Sequence, residues 1–367
     1  MVNEGRFFLS HRLELALEAL RRGDDVLVVC GRNTGEERFR EHGIPFMTFH
    51  LTRSGANPIS EVRSLTALRR IYRGTRPDLV HHVTIKPVLY GTAVARWCGV
   101  GAVVNAVPGL GFLFTGEGLW PFLRTRLVLL LYRLAMSHPN MAVIFQNGDD
   151  RRVFLEHGLV SRVEAKLIQG SGVDLERFSY KPPAEGDVTF LLVARMLRDK
   201  GVMEFVDAAR ALKRQRPGWR FQLAGDVDPG NPTSLRVEEI RSWERSGTVE
   251  WLGRRDDVAE LMAHSSVVVL PSYREGMPKV LLEAAAVGRP MIASDIAGCR
   301  QIVRPGETGL LVQARSSKPL TEAMLTLGDD PALRQQMGIA ARELAEKSFS
   351  VRKVVSETFS IYADLLS

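Results

Sequence analysis

Short apolar runs alternate with longer stretches of helical periodicity along the whole chain. In the first half the runs are Asp25-Val-Leu-Val-Val-Cys30, Asp78-Leu-Val-His81, Ala102-Val-Val-Asn105 and Met141-Ala-Val-Ile-Phe145. They are unbroken rather than alternating, the pattern of strands covered on both faces. Between them, Ser10–Arg22, Ser60–Arg73 and Leu89–Cys98 place apolar residues at helical spacing. The second half repeats the rhythm with strands at Thr189–Ala194, Arg220–Ala224, Val249–Leu252, Val267–Leu270, Met291–Ser294 and Gly309–Val312, separated by helices at Gly201–Arg214, Val258–His264 and Lys279–Val287. Such alternation predicts two α/β domains, each a doubly wound parallel sheet. Gly, Pro and Ser cluster at Gln169–Asp174 and Lys181–Asp187 and mark a linker. The expected divisions are a first domain over 1–168, a linker over 169–187 and a second domain over 188–345. A C-terminal helix over 346–367 is expected to pack across both domains. A central crevice between two such domains is the expected ligand site.

The stretch Pro271-Ser-Tyr-Arg-Glu-Gly-Met-Pro-Lys-Val-Leu-Leu-Glu-Ala-Ala-Ala-Val-Gly-Arg-Pro290 carries the most chemistry. It follows the buried strand Val267–Leu270. Pro278 suits a helix start and Gly288 a helix end. In a strand–loop–helix unit the helix N-terminus faces the ligand crevice. The first amides, around Lys279 and Val280, then suit an anion. Glu275 in the loop and Glu283 on the helix would accept hydrogen bonds from sugar hydroxyls. The spacing alone is common; the strand, proline and apolar helix face around it turn the reading toward a nucleotide-sugar site.

Charge adds a second feature. The first 170 residues hold 22 Lys and Arg against 15 Asp and Glu, which accounts for the whole net charge of +7. Between Arg53 and Arg133 there are 11 basic residues against three acidic ones, Glu61, Asp78 and Glu117. Such a face suits an anionic partner: a lipid surface, a phosphate or a nucleic acid. Aromatic residues are only 7% and no recognition motif appears, which argues against nucleic acid. Three cysteines far apart fit a reducing compartment and buried thiols. No uncharged run is long enough to span a bilayer. The dinucleotide fingerprint and the P-loop are both absent.

Further candidates sit at strand ends. Arg195 follows the strand ending at Ala194, and Lys200 comes five positions later; together they suit a leaving diphosphate. Gly253, before Arg254, closes a strand and would let backbone groups meet a base edge. Asp226-Val-Asp228 is short and reads as a polar turn rather than a metal site. His82 and Lys86 follow the strand at Asp78–His81 and are candidates for the acceptor. Adjacent His81 and His82 point to opposite faces of a strand, so one at most faces the crevice. The segment Gly111–Arg133 combines large apolar residues with Arg and reads as a buried helix or an amphipathic segment in a membrane interface.

Two Rossmann-like domains, Arg195 with Lys200, and Glu275 with Glu283 together resemble the GT-B retaining glycosyltransferases of family 4. The most specific piece is Ser272-Tyr-Arg-Glu-Gly-Met-Pro-Lys-Val-Leu-Leu-Glu283. Phe7-Phe-Leu-Ser-His-Arg12, Val80-His-His-Val-Thr-Ile-Lys-Pro87, Val107-Pro-Gly-Leu-Gly111 and Gly170-Ser-Gly-Val-Asp174 support it. The set is similar to the bacterial branch acting on undecaprenyl-diphosphate-linked sugars, N-acetylgalactosaminyl transferases included. The resemblance implies a UDP-sugar donor, a polyprenyl-diphosphate sugar acceptor, no metal cofactor, and a peripheral enzyme on the inner face of the cytoplasmic membrane, meeting an anionic membrane surface. It implies that Glu275 contacts the donor sugar, Glu283 the ribose, Arg195 and Lys200 the diphosphate, and Gly253 and Arg254 the base. The loop Asn105–Gly111 lacks the histidine that relatives carry, so a side-chain base is not expected there. Relatives open on a full apolar strand, whereas this chain opens at Met1-Val-Asn-Glu-Gly5; either the start is misassigned or the sheet lacks a central strand, which would expose neighbouring edges. Rival readings are a soluble GT-B transferase or epimerase with a small acceptor, a nucleic-acid binder, and an inactive nucleotide-sugar-binding relative.

Overall fold

The structure, a computed structural model, describes residues 1–31, 35–49, 51, 58–107, 126, 128–133, 135–183 and 186–367. Most of the segment 111–133 therefore lies outside the described residues. The chain forms two compact units: Met1–Ser171 together with Arg352–Ser367, and Gly172–Val351. The division falls at the start of the expected linker, and the last helix is counted with the first unit.

In the first unit, β1 (Val2–Glu4), β2 (Val28–Gly31) and β3 (Phe46–Phe49) pair in parallel, as do β4 (Leu79–Val83), β5 (Ala102–Val107), β6 (Met141–Phe145) and β7 (Ala165–Leu167). Every residue of β5 and β6 is buried, which is why both read as unbroken apolar runs. The central strand expected to be missing is present in short form. Beyond its pairing with β2, its neighbour Met1 reaches β4: the Met1 amino group donates to the His81 carbonyl at 2.6 Å, and Val83 N–H donates to the Met1 carbonyl at 2.9 Å. These two bonds stitch the two groups of strands and satisfy the edges there. Burial lowers the Met1 amino group to a pKa of about 5.

The predicted helix Ser10–Arg22 is two helices, Gly5–His11 and Leu13–Arg21, broken at Arg12. The C-terminal helical pattern divides into Pro331–Leu344, a π-helical turn over Ala345–Phe349, and Val351–Leu366. Ser350 is extended at that break, and Val173 bonds there with Phe349 and Val351. The final helix places Val354 and Ile361 against Val2, Cys30, Val83 and Val104 of the first unit.

In the second unit, β8 (Thr189–Val193), β9 (Arg220–Ala224), β10 (Glu250–Trp251), β11 (Val267–Leu270), β12 (Met291–Ser294) and β13 (Gly309–Val312) form one parallel sheet in the order β10-β9-β8-β11-β12-β13. Successive residues enter opposite cores. Phe190, Leu192, Val267 and Val269 join the helices Val202–Gln215 and Ser317–Asp329, while Leu191, Val268 and Leu270 join Lys279–Val287 and Pro331–Leu344. The order reverses between β8 and β11. In an open α/β sheet, the strand ends at such a switch point form the ligand crevice.

Candidate functional site

The loops that follow β8, β9, β10, β11 and β12 leave the same end of the second sheet, and the residues singled out in this half lie on them. The loop after β8 carries Arg195 and a 3₁₀ turn over Arg198–Lys200. The loop after β11 carries Glu275, and the helix Lys279–Val287 follows it. These loops flank the switch point. Two glycines let them approach. Gly201 has φ +73°, and a Cβ there would lie 2.1 Å from the Pro271 carbonyl oxygen. A Cβ on Gly298, after β12, would lie 2.5 Å from the Glu275 carbonyl oxygen and 2.4 Å from that of Gly276. Backbone therefore rests on backbone directly beneath Glu275.

The close approach joins Lys200 to Glu275, Nζ to Oε1, at 2.6 Å, with side chains 22% and 13% exposed. Lys279 pairs with Glu283 on the next turn of its own helix at 3.3 Å. Burial raises the Glu283 carboxyl above the usual carboxylate range, and Lys279 and Arg177 pull it partly back. The helix bearing both is bounded by Pro278 and by Gly288 in the left-handed conformation, and no side chain caps its N-terminus. Arg195 Nη1 meets Asp228 Oδ2 at 2.5 Å. Gly253, at φ +60°, accepts the Gly225 N–H at 2.7 Å, so the loops after β9 and β10 are also tied. Arg254 lies 3.8 Å from Asp256, a loose pair at the surface.

Three features escaped the sequence reading. Asp228 is the partner of Arg195, not half of an Asp-x-Asp pair; the Asp226 carbonyl accepts the Met196 N–H at 2.9 Å. Among the described residues no group of three His, Cys, Asp or Glu side chains is arranged to hold a metal ion. Asp199 links several loops beside Lys200. Cys299 is buried beside the carboxylate loop; burial first, and then the Glu275 charge, push its thiol well up.

The first-unit candidates end differently. His82 is fully buried. Its Nδ1 lies 2.9 Å from Asn105 Oδ1 and its Nε2 lies 2.8 Å from the Tyr72 hydroxyl. Burial and the nearby Met1 amino group lower its pKa to about 3, so the ring is neutral. A neutral ring that donates from Nδ1 and accepts at Nε2 satisfies both contacts. His82 is thus a core residue with no atom left for an acceptor, which corrects the expectation placed on it. Its neighbour His81 is taken by the Tyr362 hydroxyl at 2.6 Å. Lys86 lies in the first turn of the helix Ile85–Cys98 and pairs with Glu61 at 2.8 Å. It follows Thr84, which has φ +77°, a conformation that β-branched residues rarely hold.

Residues 1–147 match the family model "Glycosyl transferase 4-like", and residues 187–330 match "Glycosyl transferases group 1". The chain is 27% identical to the N,N'-diacetylbacillosaminyl-diphospho-undecaprenol alpha-1,3-N-acetylgalactosaminyltransferase of Campylobacter jejuni, over 89% of this chain and 90% of that protein. It is 26% identical to the UDP-Gal:alpha-D-GlcNAc-diphosphoundecaprenol alpha-1,3-galactosyltransferase of Escherichia coli, over 84% and 81%. Its fold is that of Anabaena HepE, solved in complex with UDP and glucose, with a TM-score of 0.78 at 20% identity, covering 99% and 98% of the two chains. A glycosyltransferase of Rickettsia africae superposes with a TM-score of 0.80 at 17% identity, covering 100% and 97%.

Proposed function

Because this chain belongs to the GT-B glycosyltransferases of the 4-like and group 1 families, we propose that it moves an N-acetylhexosamine from a UDP-sugar to a polyprenyl-diphosphate-linked glycan, with retention. The observation that carries the reading is the Lys200–Glu275 pair at the switch point, in a chain whose relatives along most of its length act on diphosphoundecaprenol sugars. Arg195 and Lys200 hold the donor diphosphate. The uncapped start of the helix Lys279–Val287 adds the positive end of its dipole, at the amides of Lys279 and Val280. Glu283 accepts from the ribose hydroxyls, and Gly253 and Arg254 lie beside the base. Glu275 contacts the sugar and stabilises the positive charge that develops on it. The leaving diphosphate takes the acceptor proton on the front face, so no side-chain base is required. Lys86 meets the acceptor diphosphate.

Calorimetric titration tests the donor half. UDP is expected to bind saturably, and Lys200→Ala to weaken it at least about tenfold, the order expected for one charge-assisted contact. Affinity is also expected to fall on acidification at a higher pH than an ordinary carboxylate would give. The raised Glu283 carboxyl gains its proton early and ceases to accept from two hydroxyls. Absence of UDP binding would remove the donor assignment.

The acceptor is a lipid, and no described helix is long and apolar enough to cross a membrane. The exposed residues of the helix Pro58–Thr75 and its neighbour Ile85–Cys98 support a reading of peripheral contact there. Ile59, Val62, Arg63, Thr66, Arg70 and Arg73 recur at helical spacing, with Ile59 and Val62 exposed by 65% and 62%. Trp97, 60% exposed, carries the Arg69 guanidinium 3.7 Å above its ring. Apolar and indole groups among arginines suit the headgroup region of an anionic bilayer. Each basic residue near such a surface contributes about 1 kcal/mol. The paired reversals Arg70→Glu and Arg73→Glu should therefore weaken co-sedimentation with anionic vesicles by tenfold or more. Equal binding to neutral and anionic vesicles would contradict this surface.

A further inference from the structure

Lys200 and Glu275 come from different loops, and both side chains are long and rotatable. Their ion pair alone cannot fix where the two charges stand. The backbone beneath them does, and it converges on Asp199. Its carbonyl accepts the Tyr273 N–H at 2.9 Å, tying the loop after β8 to the loop after β11. Its carboxylate accepts the Thr233 hydroxyl and faces the Arg274 guanidinium at 3.6 Å. Thr233 lies on the loop after β9, and its own carbonyl accepts the Arg198 N–H at 2.8 Å. One residue therefore touches all three loops, with Lys200 next to it in the chain and Glu275 next to its partner Arg274.

The surroundings keep the carboxylate charged. Burial acts to raise its pKa, but the Thr233 hydroxyl, its own backbone amide, Arg274 and Lys200 together hold it below the usual range. The side chain is 28% exposed and lies outside both apolar cores of its unit. Its replacement therefore opens no apolar cavity. The network continues outward. Tyr273 donates from its hydroxyl to Glu204 at 2.7 Å, and the Arg315 guanidinium lies 4.8 Å from its ring centre. These contacts brace the far side of the same loop.

We propose that Asp199 is the positioning residue of this site: it holds the loops after β8, β9 and β11 in register, so that Lys200 and Glu275 meet the donor together. The proposal rests on the roles given above to Lys200 and Glu275. Asp199→Asn keeps the volume, removes the charge facing Arg274 and puts an amide donor in place of one of the two accepting oxygens. Misplacing catalytic groups by about 1 Å costs on the order of 100-fold in rate.

The test compares Asp199→Asn and Asp199→Glu with Lys200→Ala and Glu275→Gln as references. The readouts are transfer from UDP-N-acetylgalactosamine, melting temperature, and amide hydrogen exchange over residues 271–276. For Asp199→Asn, kcat is expected to fall roughly 10- to 100-fold, with donor KM rising by less than the tenfold or so expected for Lys200→Ala, because the ammonium is displaced rather than removed. Exchange over 271–276 is expected to quicken at least about tenfold, with an unchanged melting temperature. Asp199→Glu, which keeps the charge, should recover part of both. Wild-type exchange and kcat in Asp199→Asn, while the two reference variants fail, would overturn the proposal alone. A melting temperature that falls in step with kcat would also overturn it, since the role would then be structural. Full activity in both reference variants would overturn the site reading and the proposal with it.

Discussion

Replacing Glu275 by alanine is expected to lower transfer at least about 100-fold while leaving the fold intact. Removing one preorganised group that meets developing charge costs on this order in kcat. The side chain belongs to neither apolar core, so its loss opens no core cavity. What it leaves behind is Lys200, whose ammonium loses its partner at 2.6 Å while remaining 22% exposed. The long Lys200 side chain can turn its ammonium toward solvent, so the fold is expected to survive at a modest cost in stability. Circular dichroism should match the parent chain, and kcat should fall far more than any shift in melting temperature accounts for. Unchanged transfer would remove Glu275 from the chemistry.

The largest expected effect on stability lies elsewhere, at Arg289. This guanidinium is 1% exposed. It donates to the carbonyls of Met262 (3.0 Å), Ala263 (2.7 Å), Lys181 (2.9 Å), Pro182 (2.9 Å) and Gly288 (3.2 Å). Met262 and Ala263 end the helix Val258–Ala263, where a cation also meets the negative end of the dipole. Lys181 and Pro182 belong to the segment leading into β8, which Arg289 fastens down. Burial lowers its pKa to about 10, so it stays charged near neutral pH. Arg289→Met removes every one of these donors, and buried carbonyls left unpaired cost about 1–3 kcal/mol each before relaxation. A net loss of about 3–5 kcal/mol is expected, as several of these carbonyls lose their donor together. At roughly 2–4 °C per kcal/mol, calorimetry should find the second unit melting about 6 °C or more lower. Arg289→Lys should recover less than half, because one ammonium cannot span these carbonyls. A melting temperature within 2 °C of the parent, on the order of one surface substitution, would contradict this account.

The second unit was the more legible half. β8, β11 and β12 are buried on both faces, so each read as a clear apolar run, and Pro278 and Gly288 bracketed the helix Lys279–Val287. β1 and β7 are three residues each, too short to carry a pattern. The helix Val237–Arg245 is polar except at Val237, Ile240 and Trp243, too few apolar positions to mark it in the sequence. His82 misled for a different reason. Alternation along a strand tells which neighbours share a face, but not that Tyr72 and Asn105 wait beneath that face. Pairings over long separations were invisible for the same reason: Asp228 lies 33 positions from Arg195, and Thr233 lies 34 positions from Asp199. A sequence pattern shows that polar residues gather at strand ends. It does not show which of them meet.

The central claim is retaining transfer from a UDP-sugar to a polyprenyl-diphosphate glycan, and the product itself is its most direct test. The chain would be incubated with UDP-N-acetylgalactosamine and a short polyprenyl-diphosphate-linked N-acetylhexosamine, with mass spectrometry to detect the added residue and NMR to read its anomeric configuration. A product one N-acetylhexosamine heavier, α-linked like the donor, is the predicted result. A β-linked product, or transfer only to water-soluble acceptors, would contradict it.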